Sequence, residues 1–399
     1  MTLCYVCGIE TVAQLVDLGS QPICNRFLMD PQTQQYLRPM VIGQCNLCGL
    51  VQISDPVPAD EVRPRFDWIT YNEPEPHLDA LVERVTLLPG ISKSSRICGV
   101  SFKDDSTLAR FERLGFLDTW RINPAVDLGI RETGIGVETI QDRLAPQMGA
   151  RLRDQYGSFD IVVARHIIEH AHDVLGFMSA LRELVSPTGY IVFEAPDCER
   201  AFEKDEFATL WEEHVAYFTP ATYCRTLEAG GFALVEFMVH PYPFENSLIA
   251  IARRGTKPER SAPSAALATE TARFRKFAQA LSQYGERIKR YLGDYGAQHG
   301  KVAVFGAGHL AVTYINIFGL APLIEFVVDD NPNKRGLFMP GSALPILASG
   351  ALIEENVKLC LLGLSPQSED KVVASNHGFV ERGGIFSSIF ATSVRALRV

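Results

Sequence analysis

Phe159-Asp-Ile-Val-Val-Ala-Arg-His166 decides the fold. Its β-branched apolar run suits a strand buried on both faces, and it stops abruptly on two basic residues. A second such run, Tyr190-Ile-Val-Phe-Glu194, ends on an acid. Between the two, helical spacing covers about 174 to 185 and breaks at Ser186-Pro-Thr-Gly189. Upstream, Arg96-Ile-Cys-Gly-Val-Ser-Phe102 reads as another buried strand, and Lys103-Asp-Asp-Ser-Thr107 turns into a helix through Leu114. A further strand closes at Arg121-Ile-Asn-Pro124. Strands alternating with helices predict a doubly wound parallel α/β sheet. Such sheets bind ligands outside the carboxyl ends of their strands, which sets Asp105, Asn123, His166 and Glu194 along one edge.

Working outward toward the N-terminus, Cys4-x-x-Cys7 and Cys45-x-x-Cys48 form two knuckles separated by 45 − 7 − 1 = 37 residues. Four thiolates satisfy tetrahedral Zn²⁺ and leave no open position, so the site reads as structural. Cys24 lies outside this set. Phe66-Asp-Trp-Ile-Thr-Tyr-Asn72 is an aromatic connector that either packs a domain joint or closes over a ligand, and a helix follows from about 77 to 88. These features divide the chain into a zinc-binding domain (1–75), an α/β sheet domain (76–255) and a C-terminal domain (256–399).

The C-terminal domain begins after the polar linker Gly255-Thr-Lys-Pro-Glu-Arg-Ser-Ala-Pro-Ser264, with a long helical stretch from Ala266 to about Gly296. Lys301-Val-Ala-Val-Phe305 then runs into Gly306-Ala-Gly-His-Leu-Ala311, and an acid, Asp329, follows 329 − 306 = 23 residues after Gly306. That is the outline of a dinucleotide fingerprint and makes an NAD-dependent oxidoreductase one alternative. Short Gly-x-Gly turns also occur in Rossmann-like domains that bind no nicotinamide.

Leu210-Trp-Glu-Glu-His-Val-Ala-Tyr-Phe218 gathers two acids and a histidine inside an aromatic frame. Alone, the triplet reads as an acidic helix face. A carboxylate beside an imidazole can also fix its tautomer and raise its basicity, which is how a general base is built. The net charge of −9 and pI near 5.6 argue against nucleic-acid or membrane-surface binding. The segment Met1-Thr-Leu-Cys-Tyr5 carries no basic region leading into an apolar core, and no apolar run reaches the ~20 residues of a membrane span. Nine unevenly spread cysteines suit a reducing cytoplasm.

The order of these pieces resembles the three-domain sugar C-methyltransferases, which use S-adenosylmethionine (SAM) on nucleotide-linked keto-deoxysugars. The resemblance spans essentially the whole chain. It rests most on Phe159–His166, Glu213-His-Val-Ala-Tyr-Phe218, and Val328-Asp-Asp-Asn-Pro-Asn-Lys-Arg-Gly336 with Pro340-Gly341. It implies a class I SAM fold, structural zinc on Cys4, Cys7, Cys45 and Cys48, and a small-molecule nucleotide-sugar substrate. By the same resemblance His214 is the candidate base, Glu213 orients it, and Trp211 and His170 complete the catalytic set. Val100, Phe102, Asp104, Asp105, Asn123, His166 and Trp68 would hold SAM, while Phe66, Glu194, Tyr217, His309 and Lys334 would meet the substrate. The chain departs from the family in four places, one being the connector, where Phe66 and Trp68 stand at positions commonly held by tyrosine. Trp211 replaces a usual tyrosine, the loop Val100-Ser-Phe-Lys-Asp-Asp-Ser106 lacks its usual glycines, and Asn123 stands where an acid normally holds the ribose. Methyl transfer to oxygen or nitrogen, or a non-catalytic protein with a decayed SAM loop, are the remaining alternatives.

Overall fold

The computed structural model describes residues 2–69, 73–256 and 265–399. The end of the aromatic connector (70–72) and most of the polar linker (257–264) lie outside the described residues. The chain forms two compact units that are interleaved, not sequential. The first comprises Met1–Gln14, Gly43–Glu199 and Glu213–Thr271; the second comprises Leu15–Ile42, Arg200–Glu212 and Ala272–Val399.

The N-terminal strands are β1 (Thr2–Leu3), β2 (Glu10–Pro22), β3 (Leu37–Cys45) and β4 (Val51–Ile53). A short strand from far downstream, β9 (Ala216–Tyr217), joins them in the order β1-β2-β3-β4-β9. The β4–β9 pairing is antiparallel, Val51 facing Tyr217 and Gln52 facing Ala216. The tail of the Leu210–Phe218 stretch is therefore a strand, and no helix covers its Glu-Glu-His triplet. That excludes an acidic helix face.

The central sheet is built from β5 (Ile97–Gly99), β6 (Thr119–Arg121), β7 (Phe159–Arg165), β8 (Val185–Asp197), β10 (Phe232–His240) and β11 (Asn246–Arg254). Their order is β10-β11-β8-β7-β5-β6. Strands β5 to β8 pair in parallel, and β11 runs antiparallel to both its neighbours. Parallel strands must be covered on both faces, and β7 is: Ile161, Val162, Val163 and Ala164 are all fully buried. Their alternation sorts them into two cores. Ile161 and Val163 pack with Tyr190 and Val192, while Val162 and Ala164 pack with Ile191 and Phe193. The parallel register sets Arg165 directly beside Glu194 at the carboxyl edge. The predicted helices form as Leu78–Thr86, Asp105–Arg113 and Val174–Leu184.

In the second unit, β12 (Val302–Phe305), β13 (Val327–Val328), β14 (Ile346–Leu347), β15 (Leu359–Leu362) and β16 (Ile385–Ser388) form a wholly parallel sheet in the order β14-β13-β12-β15-β16. The long helix spans Ala265–His299. Among the described residues no helix is long and apolar enough to cross a membrane.

Candidate active site and metal centre

The two cysteine knuckles close on each other. Cys4 Sγ lies 3.6 Å from Cys48 Sγ and Cys7 Sγ lies 3.7 Å from Cys45 Sγ, with all four sulfurs within 4.8 Å of one another. A tetrahedral zinc with Zn–S bonds of about 2.3 Å has S···S edges of about 3.8 Å, so the four thiols already stand at the vertices of a zinc site. Backbone N–H groups of Cys7, Leu47 and Cys48 point at the sulfurs of Cys4 and Cys45, as they must to hold thiolate charge. Zinc there is structural, all four ligand positions being protein sulfur. Among the described residues no cysteine is joined in a disulfide. Cys24 donates to Glu212 Oε2 (3.0 Å) within the second unit.

At the carboxyl edge of the central sheet the chain turns sharply after β5. Asp104 is fully buried and shapes this loop. Its Oδ2 accepts from Val100 N–H and Ser101 N–H (both 2.8 Å), and its Oδ1 accepts from Arg165 N–H (3.0 Å). Burial pushes its carboxyl up to about 7, against those backbone donors. Asp104 therefore holds the loop together, and Val100 is fully buried beneath it. A β-carbon on Gly99 would come 3.0 Å from both Asp104 Cβ and Leu108 Cδ1, so this single glycine gives the loop its close packing. Phe102 does not fill the loop: it is 41% exposed on the turn.

Two expected cofactor contacts are already engaged. Asn123 Oδ1 caps the helix Pro124–Asp127, accepting from Ala125 N–H (3.0 Å) and Val126 N–H (3.1 Å). Asp105 pairs with Arg121 Nε at 2.8 Å. Phe66 and Trp68 stack on each other, ring centroids 4.9 Å apart, both half-buried.

Beyond β7 lies a dense set of charges. Glu194 is fully buried, with Arg165 Nε at 2.5 Å, His77 Nε2 at 3.1 Å and His166 Nε2 at 3.3 Å. Although burial opposes ionisation, His166 and Arg165 hold this carboxylate well below its ordinary range. Glu194 thus holds the Arg165 guanidinium and two imidazoles at once. His166 adopts left-handed backbone (φ 47°), and its Nδ1 sits 3.5 Å from Glu169 Oε1 and 3.9 Å from Glu73 Oε2. Desolvation would lower its pKa, but Glu73 and Glu194 outweigh it and raise the imidazole to about 10. Glu245 is the opposite case: burial and then Glu73 repulsion push its carboxyl up to about 8.

His214 is partly exposed beside this set. Its loop is pinned on both sides of Val215, whose N–H donates to the Glu169 carbonyl (2.8 Å) and whose carbonyl accepts from Ile53 N–H (3.0 Å). The His170 ring meets the His214 ring edge-on, centroids 4.8 Å apart and planes at 89°. Glu169, His170 and His214 offer side-chain atoms within 4.8 Å of one another. Glu213 is buried, and the buried Tyr217 ring stands 6.4 Å from His214. The structure thus joins His214, His170 and His166 in one region. It adds Glu73, His77, Glu138, Glu169 and Glu245, which the sequence reading missed because they come from separate segments without a shared motif.

Trp211 belongs to the second unit, where its ring stacks on His309 at 4.3 Å. In that unit Asp329 Oδ2 accepts from Ala307 N–H (2.8 Å) and pairs with Lys334 Nζ (2.9 Å). The acid of the Gly306 fingerprint is therefore engaged by its own turn, and Lys334 also lies over the Phe27 ring.

Three family models match in sequence: one described as "Putative zinc binding domain" over residues 4–62, a methyltransferase domain over 99–237, and a C-methyltransferase C-terminal domain over 259–390. The chain is a SAM-dependent methyltransferase that carries, in order, a zinc-binding domain, a methyltransferase domain and a C-methyltransferase C-terminal domain. It is similar to the C-methyltransferase NovU of Streptomyces niveus, 22% identical over 401 residues that cover 96% of this chain and 94% of that one. Among solved structures, a 1,6-didemethyltoxoflavin-N1-methyltransferase of Burkholderia thailandensis is 12% identical, covers 45% of this chain and 79% of its own, and superposes with a TM-score of 0.31. An O-methyltransferase family protein from the same species is 16% identical over 45% of this chain and 56% of its own, TM-score 0.28. Scores this low add nothing to the fold already described.

Proposed function

We propose that this enzyme methylates a carbon next to the ketone of a nucleotide-linked keto-deoxysugar, with His214 as the base. The observation that carries this reading is the partly exposed His214 ring, fixed by its backbone and set against His170 in a water-poor, highly charged edge. When bound, SAM supplies an electrophilic sulfonium methyl. Its positive charge suits the acidic side chains Glu73 and Glu169 of this edge. The loop from Val100 to Asp105, with Phe102 turned to its surface, and the edge residues Asn123, His166 and Trp68 are assigned to it.

His214 takes the proton from the substrate carbon, and the C–H electron pair moves onto the ketone oxygen. Returned to carbon, that pair would make the carbon a nucleophile toward the methyl that bound SAM would supply, sulfur keeping the electrons of the broken bond. Glu213 orients the base, and Phe66 and Tyr217 frame the sugar. Within the second unit, His309 and Lys334 are the side chains assigned to phosphate contact, with Lys334 exchanging Asp329 for phosphate. Nine cysteines, none of them in a disulfide, are in keeping with work in a reducing cytoplasm.

Incubation with a nucleotide-linked keto-sugar and S-adenosylhomocysteine in deuterium oxide tests this. Deuterium should enter at the carbon beside the ketone, and His214→Ala should abolish its entry. An enzyme that methylates its acceptor without such exchange transfers to oxygen or nitrogen instead.

A further inference from the structure

Glu138 lies on the helix Val137–Arg143 and is only 5% exposed, an uncommon position for a carboxylate. Its Oε1 stands 3.1 Å from His170 Nδ1. The side chain folds back over the start of its own helix, so that a β-carbon on Gly136 would fall inside contact distance of Glu138 Oε2. The backbone at Gly136 is ordinary (φ −105°). Space for the Glu138 carboxylate, and not backbone freedom, is what this glycine provides.

His170 is as buried as Glu138 and carries the edge-on contact with His214. The other charged or titratable groups facing it are Glu169, whose Oε1 is 4.0 Å from Nε2, with Lys103 and His172. His214 in turn faces Glu73.

We propose that Glu138 is a positioning residue for methyl transfer: paired with His170 Nδ1, it keeps a charged imidazolium against His214, where negative charge grows on the ketone oxygen. The proposal rests on the reading of His214 as base. His170 holds its proton throughout, and a fixed cation in a desolvated pocket stabilises the developing enolate without reorganising. Burial would strip that proton; the Glu138 contact outweighs it and raises the His170 pKa.

The test uses Glu138→Gln, Glu138→Asp and Gly136→Ala in the full-length zinc-loaded enzyme. An NMR titration of nitrogen-labelled histidines reads His170 directly and needs no substrate. Glu138→Gln and Gly136→Ala should lower its titration by about one pH unit or more, whereas Glu138→Asp should keep much of the wild-type value. In turnover, Glu138→Gln should cut kcat by about 10- to 100-fold, leave the KM for SAM nearly unchanged, and move the alkaline limb of the kcat profile to lower pH. An unshifted His170 overturns the proposal whatever the acceptor is. A shifted His170 with an unmoved alkaline limb overturns it too, because the pairing would then play no part in transfer. Absence of carbon exchange in the wild type refutes the acceptor reading first, and the role built on it with it.

Discussion

Exchanging Glu194 for glutamine keeps the shape of the side chain and removes the one carboxylate that Arg165, His77 and His166 share. Arg165 is 1% exposed, and its Nε at 2.5 Å is the shortest of the three contacts. Its second anchor is neutral, the Lys103 carbonyl at 2.8 Å. Breaking a buried ion pair from one side strands the other charge, which costs about 3–5 kcal/mol. Set against a total of about 5–15 kcal/mol for a typical fold, that is about a fifth or more of the stability of the first unit. With a urea slope of about 1–3 kcal/mol per molar, its unfolding midpoint should fall by about 1–5 M. Urea titration followed by fluorescence, with NMR of the histidines in parallel, measures both parts. His166 should lose much of its elevation from about 10, since Glu194 is one of the two carboxylates that chiefly sustain it. A loss under about 1 kcal/mol would refute the reasoning, because it would mean that water or Asp104 takes over the stranded guanidinium.

Three other outcomes are expected. Mass spectrometry under native conditions should find one zinc per chain, and Cys45→Ser should release it and unfold the N-terminal strands, since structural zinc contributes about 10–16 kcal/mol in small modules; a metal-free wild type would contradict the thiol geometry. His214→Ala should lower kcat by about two orders of magnitude or more while calorimetry shows SAM affinity nearly unchanged; sustained turnover would place the base elsewhere. For pH, His166 has a folded pKa near 10 against about 6.5 unfolded, so its stabilisation is complete below about 6.5 and disappears as pH rises through 10. Melting temperatures from pH 6 to 10 should fall more steeply for wild type than for His166→Asn, and equal slopes would rule the coupling out.

Much of the fold follows from short-range pattern. The β7 run is apolar because both of its faces are covered, and that same doubling makes it visible in sequence. The cysteine knuckles are legible because two residues of spacing already fit one side of a metal. What escapes is whatever depends on register or on a distant segment. Glu194 looks like a ligand at a strand end, but parallel pairing puts Arg165 beside it, and the charge turns inward. Asn123 and Asp104 sit at the expected edge, yet local backbone N–H groups claim their oxygens, as they often do for short polar side chains at turns. Trp211 and His214 are three residues apart, and the chain passes from one unit to the other between Glu212 and Glu213. The contact of Glu138 with His170 depends on a missing methyl at Gly136, which no spacing rule records.

The left-handed backbone at His166 restricts what natural variation can do there. Histidine, asparagine and aspartate enter that conformation more readily than other side chains, and glycine does so freely, whereas valine or isoleucine would strain it. A lineage that gave up the imidazole would be expected to drift to asparagine or glycine before alanine. Asparagine would keep the path of the chain while discarding the positive charge, so the turn and the electrostatics at this position can be inherited separately.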